Sequence, residues 1–227
     1  MKFAYLLIDV CAIIVPLIAS FDRRIQFYKR WSAAFVSFFL SGIFFLLWDS
    51  YFTRAGVWGF NPDYLLGINL FNLPVEEVLF FLCIPYACMF SYHCLQVLWP
   101  RFSMPAKFAS YLSWILIAGS LLTALVFRAH IYTCATFLLV VCFILYAMRK
   151  PWIGRFYLCY GIMLLPFVIV NGLLTGSWID APIVWYNNSE IIGIRLLTIP
   201  VEDVFYGLIM IGSQVALYER RNTNTLL

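Results

Sequence analysis

The sequence predicts an all-α, polytopic membrane protein of seven transmembrane helices, built as two parallel three-helix repeats joined by a linker helix. Three observations carry that prediction. The 227 residues are 64% apolar and only 11% charged, against roughly 25% charged in a soluble domain. Apolar runs of about 20 residues, the length that crosses a bilayer as a helix, recur along the whole chain. One stretch at the head of such a run occurs twice, as NLPVEEVLF at residues 72–80 and TIPVEDVFY at 198–206.

In order, the apolar runs place spans at roughly 2–20, 31–52, 74–98, 108–127, 131–148, 156–174 and 200–219. The first has one early charge, Lys2, an interrupting Asp9 and no small-residue cleavage site before Phe21. It therefore reads as an uncleaved span rather than a signal peptide. Pro16, Pro85 and Pro166 fall inside spans and are expected to bend them, because each removes a backbone donor. Connections are short except for 53–73 and 175–199.

Basic residues set the orientation. Eleven (Arg23, Arg24, Lys29, Arg30, Arg101, Lys107, Arg149, Lys150, Arg155, Arg220 and Arg221) fall on one side of the seven spans, and four (Lys2, Arg54, Arg128 and Arg195) on the other. The positive-inside rule then puts the N-terminus outside and the C-terminus in the cytoplasm, with both long loops at the outer face. The net charge of +4 accordingly concerns topology and lipid, and no nucleic-acid partner is expected.

An offset of 126 residues lays Pro74 on Pro200 and gives eight identities between 61–80 and 187–206, among them Asn61 with Asn187 and Gly67 with Gly193. One further residue of offset brings Trp58 onto Trp185. Spans 1–3 (residues 1–98) thus correspond to spans 5–7 (131–227), with 99–130 as the linker region. Three spans plus a linker restore the original direction, so the halves are parallel repeats. Both copies of the motif then lie at one depth, where a single pocket can draw on both.

The motif acids are Glu76 and Glu77, and Glu202 and Asp203. Carboxyls at the edge of hydrocarbon are costly and call for an explanation. Proline suits a first helical position, which would put Glu76 and Glu202 at the third, the place from which a Glu reaches back to cap its helix. Adjacent helical residues diverge by about 100°, so one acid of each pair can cap while the other faces a pocket. Four such acids in low dielectric, some protonated and some ionised, supply general acid and general base without a metal or cofactor. Aromatic residues cluster at the same depth: Trp48, Tyr51, Phe52, Trp58, Phe60, Tyr64, Trp178, Trp185, Tyr186 and Tyr206. Such rings form interfacial belts, and their faces also stabilise cations. Trp48, Trp58, Phe60, Trp185, Tyr186 and Tyr206, with Asn61 and Asn187 beside the motif, are the candidates for binding a substrate.

Asp9 and Asp49 are weaker leads, as ionisable groups within spans. The seven cysteines form no CxxC pair and read as small buried hydrophobes. Cys88, His93 and Cys94 fall on different helix faces, so no metal site is expected there. All four lysines lie at span ends or in loops, which argues against a retinal Schiff base. No spaced Asp clusters suit a magnesium-dependent prenyltransferase. A carboxylate-dependent membrane transporter is the alternative, although its acids are expected nearer the midplane.

WDSYFTRAGVWGFNPDYLLGINLFNLPVEEVLFF, followed by IRLLTIPVEDVFYG, resembles the integral-membrane lycopene cyclases of bacteria, archaea and fungi, here with the two halves of the two-subunit type fused. The resemblance spans essentially the whole chain. It implies cyclisation of the open ψ ends of lycopene, or a related linear carotenoid, to β-ionone rings in carotenoid biosynthesis: an isomerisation in which an acid protonates the terminal double bond and a base removes a proton from the new ring. Carried onto this sequence, the catalytic acids are Glu76, Glu77, Glu202 and Asp203, the last shorter in reach. No GxGxxG fingerprint occurs, so no flavin is expected. The bilayer of the cell membrane is the implied location, with other carotenoid enzymes or a second copy of the chain as further partners.

Overall fold

The computed structural model describes residues 2–224. Its seven α-helices are α1 (Ala4–Ala19), α2 (Trp31–Arg54), α3 (Val75–Leu98), α4 (Ala106–Val126), α5 (Ile131–Ala147), α6 (Ile153–Thr175) and α7 (Val201–Asn224). Each falls within a few residues of an apolar run. Four of them, α2 with its preceding 3₁₀ turn, α3, α4 and α6, are long and apolar enough to cross a membrane. α1 and α5 are shorter, at 16 and 17 residues. α7 is long but more polar, because it carries Glu202, Asp203, Gln214 and Glu219.

The outer surface is apolar. Val15, Phe39, Ile115 and Leu165 are each about 70% exposed, a disposition that suits lipid rather than water. The interior holds the polar exceptions. Six of the eleven acids are buried, namely Asp9, Asp49, Glu76, Glu77, Glu202 and Asp203, and among the described residues no lysine or arginine is buried with them. Acids sequestered without counter-cations need a partner, a proton or a function.

The helices interlock across the sequence. α1 packs on α3 and α5 on α7, while α2 crosses to α7 and α3 to α6; α4 packs on α5. Pro16, Pro85 and Pro166 lie within α1, α3 and α6 as the sequence indicated. The cysteines are free thiols, but Cys11 and Cys142 are exposed on the apolar surface rather than buried. The ring of His93 is held between the Tyr218 hydroxyl and the Ile25 carbonyl.

The two long loops share several backbone hydrogen bonds at positions 126 apart, Tyr64 to Asn61 with Glu190 to Asn187 and Val75 to Ile68 with Val201 to Ile194. Strands β1 (Trp58–Phe60) and β4 (Val184–Tyr186) form an antiparallel ribbon in which Trp58 faces Tyr186, Gly59 faces Trp185 and Phe60 faces Val184. The Trp185 indole lies over the space that the missing side chain of Gly59 leaves. The Asn61 amide bonds the Ile183 carbonyl, and the Asn187 amide bonds the Val57 carbonyl. Two short hairpins follow, β2–β3 (Asn69–Leu70, Leu73–Pro74) and β5–β6 (Arg195–Leu196, Ile199–Pro200). Gly67 and Gly193 take positive φ of 81° and 84°, where glycine costs least. Phe71 and Leu197 both take φ 57° at the hairpin tips, a conformation that costs a bulky residue about 1–2 kcal/mol. Identical sequence positions, 126 apart, adopt the same uncommon backbone, so each hairpin delivers its helix head in the same way.

Candidate active site

Each hairpin ends in a proline that immediately precedes its helix, and α3 and α7 open on Val75 and Val201. Proline is the last residue outside the helix rather than the first inside it, so Glu76 and Glu202 are second helical residues. Neither closes the expected capping box. Glu76 Oε1 instead accepts from the Leu66 amide at 2.6 Å, ten residues back along the loop. Glu202 Oε1 accepts from the Ile192 amide at 2.7 Å and from the Thr133 hydroxyl of α5 at 2.6 Å. Both residues are fully buried, and the second oxygen of each has no hydrogen-bond partner among the described residues. These two acids tie the loops to the helix heads.

The neighbouring acids point elsewhere, as the 100° step of the helix requires. Glu77 Oε2 accepts from the Tyr5 hydroxyl of α1 at 2.5 Å. Asp203 Oδ1 accepts from Tyr132 of α5 at 2.7 Å, and its Oδ2 from Tyr186 of β4 at 2.8 Å. Burial first, and then the adjacent Asp203, push the Tyr186 phenol well above its ordinary pKa, so it stays a hydrogen-bond donor.

Glu77 and Asp203 meet at one cavity of about 270 Å³. Its wall joins both motif copies: α1 contributes Tyr5, α2 Asp49, the ribbon Trp58, Phe60 and Tyr186, α5 Tyr132, and α7 Tyr206. Along α3 the lining runs from Glu77 to Ser91, a depth of about 21 Å at 1.5 Å per residue. Below the acids the walls are apolar, with Phe81, Ile84, Met163, Phe167 and Met210 among them. α4 contributes nothing to the lining. The aromatic rings at the acid end are locked by one another: Trp58 stacks on Phe52 at 5.3 Å and takes the edge of Tyr132 at 5.0 Å, and Tyr206 meets Phe45 edge-on at 5.3 Å. This is an elongated, mostly apolar slot with carboxyls, tyrosine hydroxyls and aromatic faces at one end.

Of the sequence-derived candidates, Glu77, Asp203, Trp58, Phe60, Tyr186 and Tyr206 reach the cavity. Glu76 and Glu202 lie behind it. Trp48 also lies behind the wall, stacked on Phe52 at 4.7 Å. Asn61 and Asn187 fold onto their own turns, each side chain accepting the amide two residues on, from Asp63 and Ser189. Trp185 is 45% exposed on the ribbon's outer side. These last four do not line the cavity. The sequence reading overlooked Tyr5, Tyr132 and Thr133, and it underrated Asp49. An offset of 127 would have paired Tyr5 with Tyr132, but the identity run that revealed the repeat does not extend to those helices. Asp9 is buried with neither oxygen hydrogen-bonded among the described residues, yet it does not line the cavity.

A family model described as "Lycopene cyclase" matches residues 2–95 and 129–220. The chain belongs to the lycopene cyclase family. The family match covers both motif copies and leaves out α4. Among curated relatives, the bifunctional lycopene cyclase/phytoene synthase of Podospora anserina is 32% identical over 85 residues, 37% of this chain and 14% of that protein. Those of Aspergillus niger and Colletotrichum graminicola are 38% identical over 47 residues and 46% over 39, covering 21% and 17% of this chain and 8% and 7% of theirs. The chain thus matches a small part of each relative's length. No solved structure matches it significantly.

Proposed function

We propose that this lycopene cyclase family member is a cofactor-independent cyclase that closes the ψ ends of lycopene, or of a related linear carotenoid, to β-ionone rings. The observation that carries the reading is the meeting of Glu77 and Asp203, from matched positions of the two motif copies, at the aromatic end of a single apolar slot. The slot's walls suit a polyene along their length. Protonation of the terminal double bond makes a tertiary cation. The nearby double bond attacks that cation, forms the ring bond and moves the charge into the ring. Loss of a ring proton ends the reaction. Glu77 and Asp203 face the charge and recover the proton, while the faces of Trp58 and Tyr206 stabilise the cation without trapping it. Tyr5, Tyr132 and Tyr186 hold the two carboxyls in place. Glu76 and Glu202, which line no part of the slot, keep the loops in register.

This reading takes all seven helices as membrane spans. The paired halves, α1–α3 and α5–α7, are joined by α4, and the N-terminus lies outside. The eleven-to-four division of basic residues supports the orientation. The matched hydrogen bonds at the heads of α3 and α7 support the repeat. The omission of α4 from the cavity wall and from the family match supports its place as a linker.

Expression in a cell membrane that already accumulates lycopene, followed by pigment chromatography, tests the activity. Cyclised pigment is expected, and lycopene left unchanged by well-expressed protein would refute the reading. One acid end also means that the two ends of a substrate react in turn. A monocyclic product is expected to rise and then fall in a time course; bicyclic product appearing with no monocyclic precursor would contradict the single slot.

A further inference from the structure

The slot holds a third carboxyl. Asp49 of α2 lines it beside Glu77 and is 4% exposed. One side of its carboxyl takes the Trp58 indole N–H, and Glu77 is the charge that acts on it most strongly. Its Oδ2 has no hydrogen-bond partner among the described residues. The other titratable groups that feel it are the tyrosines Tyr5, Tyr186 and Tyr206.

We propose that Asp49 is the catalytic acid that protonates the carotenoid end, which leaves Glu77 and Asp203 as the carboxyls that face the cation and take the proton back. The assignment rests on the cyclase reading above. Its ground is the hydrogen-bond inventory. An ionised carboxyl only accepts, whereas a protonated one must carry its hydrogen on an oxygen free to do so. Both oxygens of Asp203 accept tyrosine hydroxyls, and Glu77 accepts one. Asp49 accepts no tyrosine hydroxyl: it takes the Trp58 indole N–H and leaves Oδ2 without a partner among the described residues. Asp49 and Glu77 line the same cavity, and a carboxyl pair in low dielectric favours one shared proton over two charges.

The second motif copy has no counterpart. The position 126 residues on is Thr175, whose hydroxyl is engaged with the Asn171 carbonyl and the Thr198 hydroxyl. The two halves therefore supply two tyrosine-held acids and, from α2 alone, a third carboxyl, which fits a single reacting end.

The step balances without a co-reactant. The Asp49 proton passes to the inner, CH carbon of the terminal double bond, and the cation forms on the outer carbon, which bears the two methyls. The next double bond along the chain gives its electron pair to the ring-closing carbon–carbon bond, which leaves the cation on a ring carbon. A ring proton then leaves for a tyrosine-held carboxyl and returns to Asp49 between turnovers.

Purified parent, Asp49→Asn and Asp49→Glu would be compared in liposomes loaded with lycopene, with binding read from the shift of the polyene absorbance and turnover from chromatography. Asp49→Asn is expected to bind lycopene but to cyclise it at least 100-fold more slowly, and Asp49→Glu to recover at least tenfold over Asn. Asp49→Asn turning over within threefold of the parent would overturn the assignment. Should Asn fail to accumulate, the equally sized Glu and Gln variants decide, and equal rates in those two would overturn it. A parent that leaves lycopene untouched would instead sink the cyclase reading itself.

Discussion

Glu77→Gln and Asp203→Asn are each expected to lower carotenoid cyclisation by about 10²–10⁴-fold, the usual contribution of a positioned acid–base group. Both substitutions keep size and one accepting oxygen, so the Tyr5 hydroxyl retains its partner at Glu77→Gln, while Asp203→Asn keeps an acceptor for one of Tyr132 and Tyr186 and turns an amide NH2 toward the other. What they remove is a negative charge at the end of a slot where a cation develops. In a water-excluded site that loss is felt far more than in bulk solvent. The measurement is pigment conversion per unit of folded protein in a lycopene-accumulating membrane. The two variants should fail alike, because their residues come from matched positions and face one cavity. If one variant cyclised normally while the other did not, the slot would be served by a single half, and the second tyrosine-held acid would be structural. Two fully active variants would remove both residues from the chemistry.

Much of this arrangement was legible in the sequence because the signals were local. Apolar runs located the seven helices, since span length and hydropathy belong to each segment separately. The repeated proline and acids located the heads of α3 and α7, since helix entry is decided by a few adjacent residues. The 100° step between neighbouring helical residues even foretold that the acids of each pair would part company. What could not be read was set by residues far apart in the chain. Tyr5 and Glu77 are 72 positions apart, and Tyr132 and Asp203 are 71 apart. No periodicity links them, and a tyrosine near a span end reads first as an interfacial anchor. Asp49 reaches the slot because α2 crosses to pack on α7, a choice of neighbour that hydropathy does not encode. Trp48 and Trp185 erred the other way. They share the depth and character of lining aromatics, but the helix face and the ribbon pleat turn them outward.

The division of labour within each acid pair makes an opposite prediction for Glu76 and Glu202. Glu202→Ala is expected to destabilise the protein more than Glu76→Ala. It strands two buried donors, the Ile192 amide and the Thr133 hydroxyl, whereas Glu76→Ala strands only the Leu66 amide. Each donor left without a partner costs about 1–3 kcal/mol. Glutamine keeps an accepting oxygen at either position, so the Gln variants should lose little stability and should cyclise lycopene within a few-fold of the parent. Thermal unfolding in detergent, set beside conversion per folded molecule, separates the cases. Alanine at 202 should lower the midpoint and the yield while the folded fraction still works; glutamine at 77 should leave the midpoint and abolish the work. The contrast follows from which way each carboxyl points, because the four residues share one motif and nearly one chemistry. A Glu202→Gln protein as stable as the parent but unable to cyclise would show that a loop-facing acid takes part in the proton transfer, and the partition drawn from geometry would fail at its root.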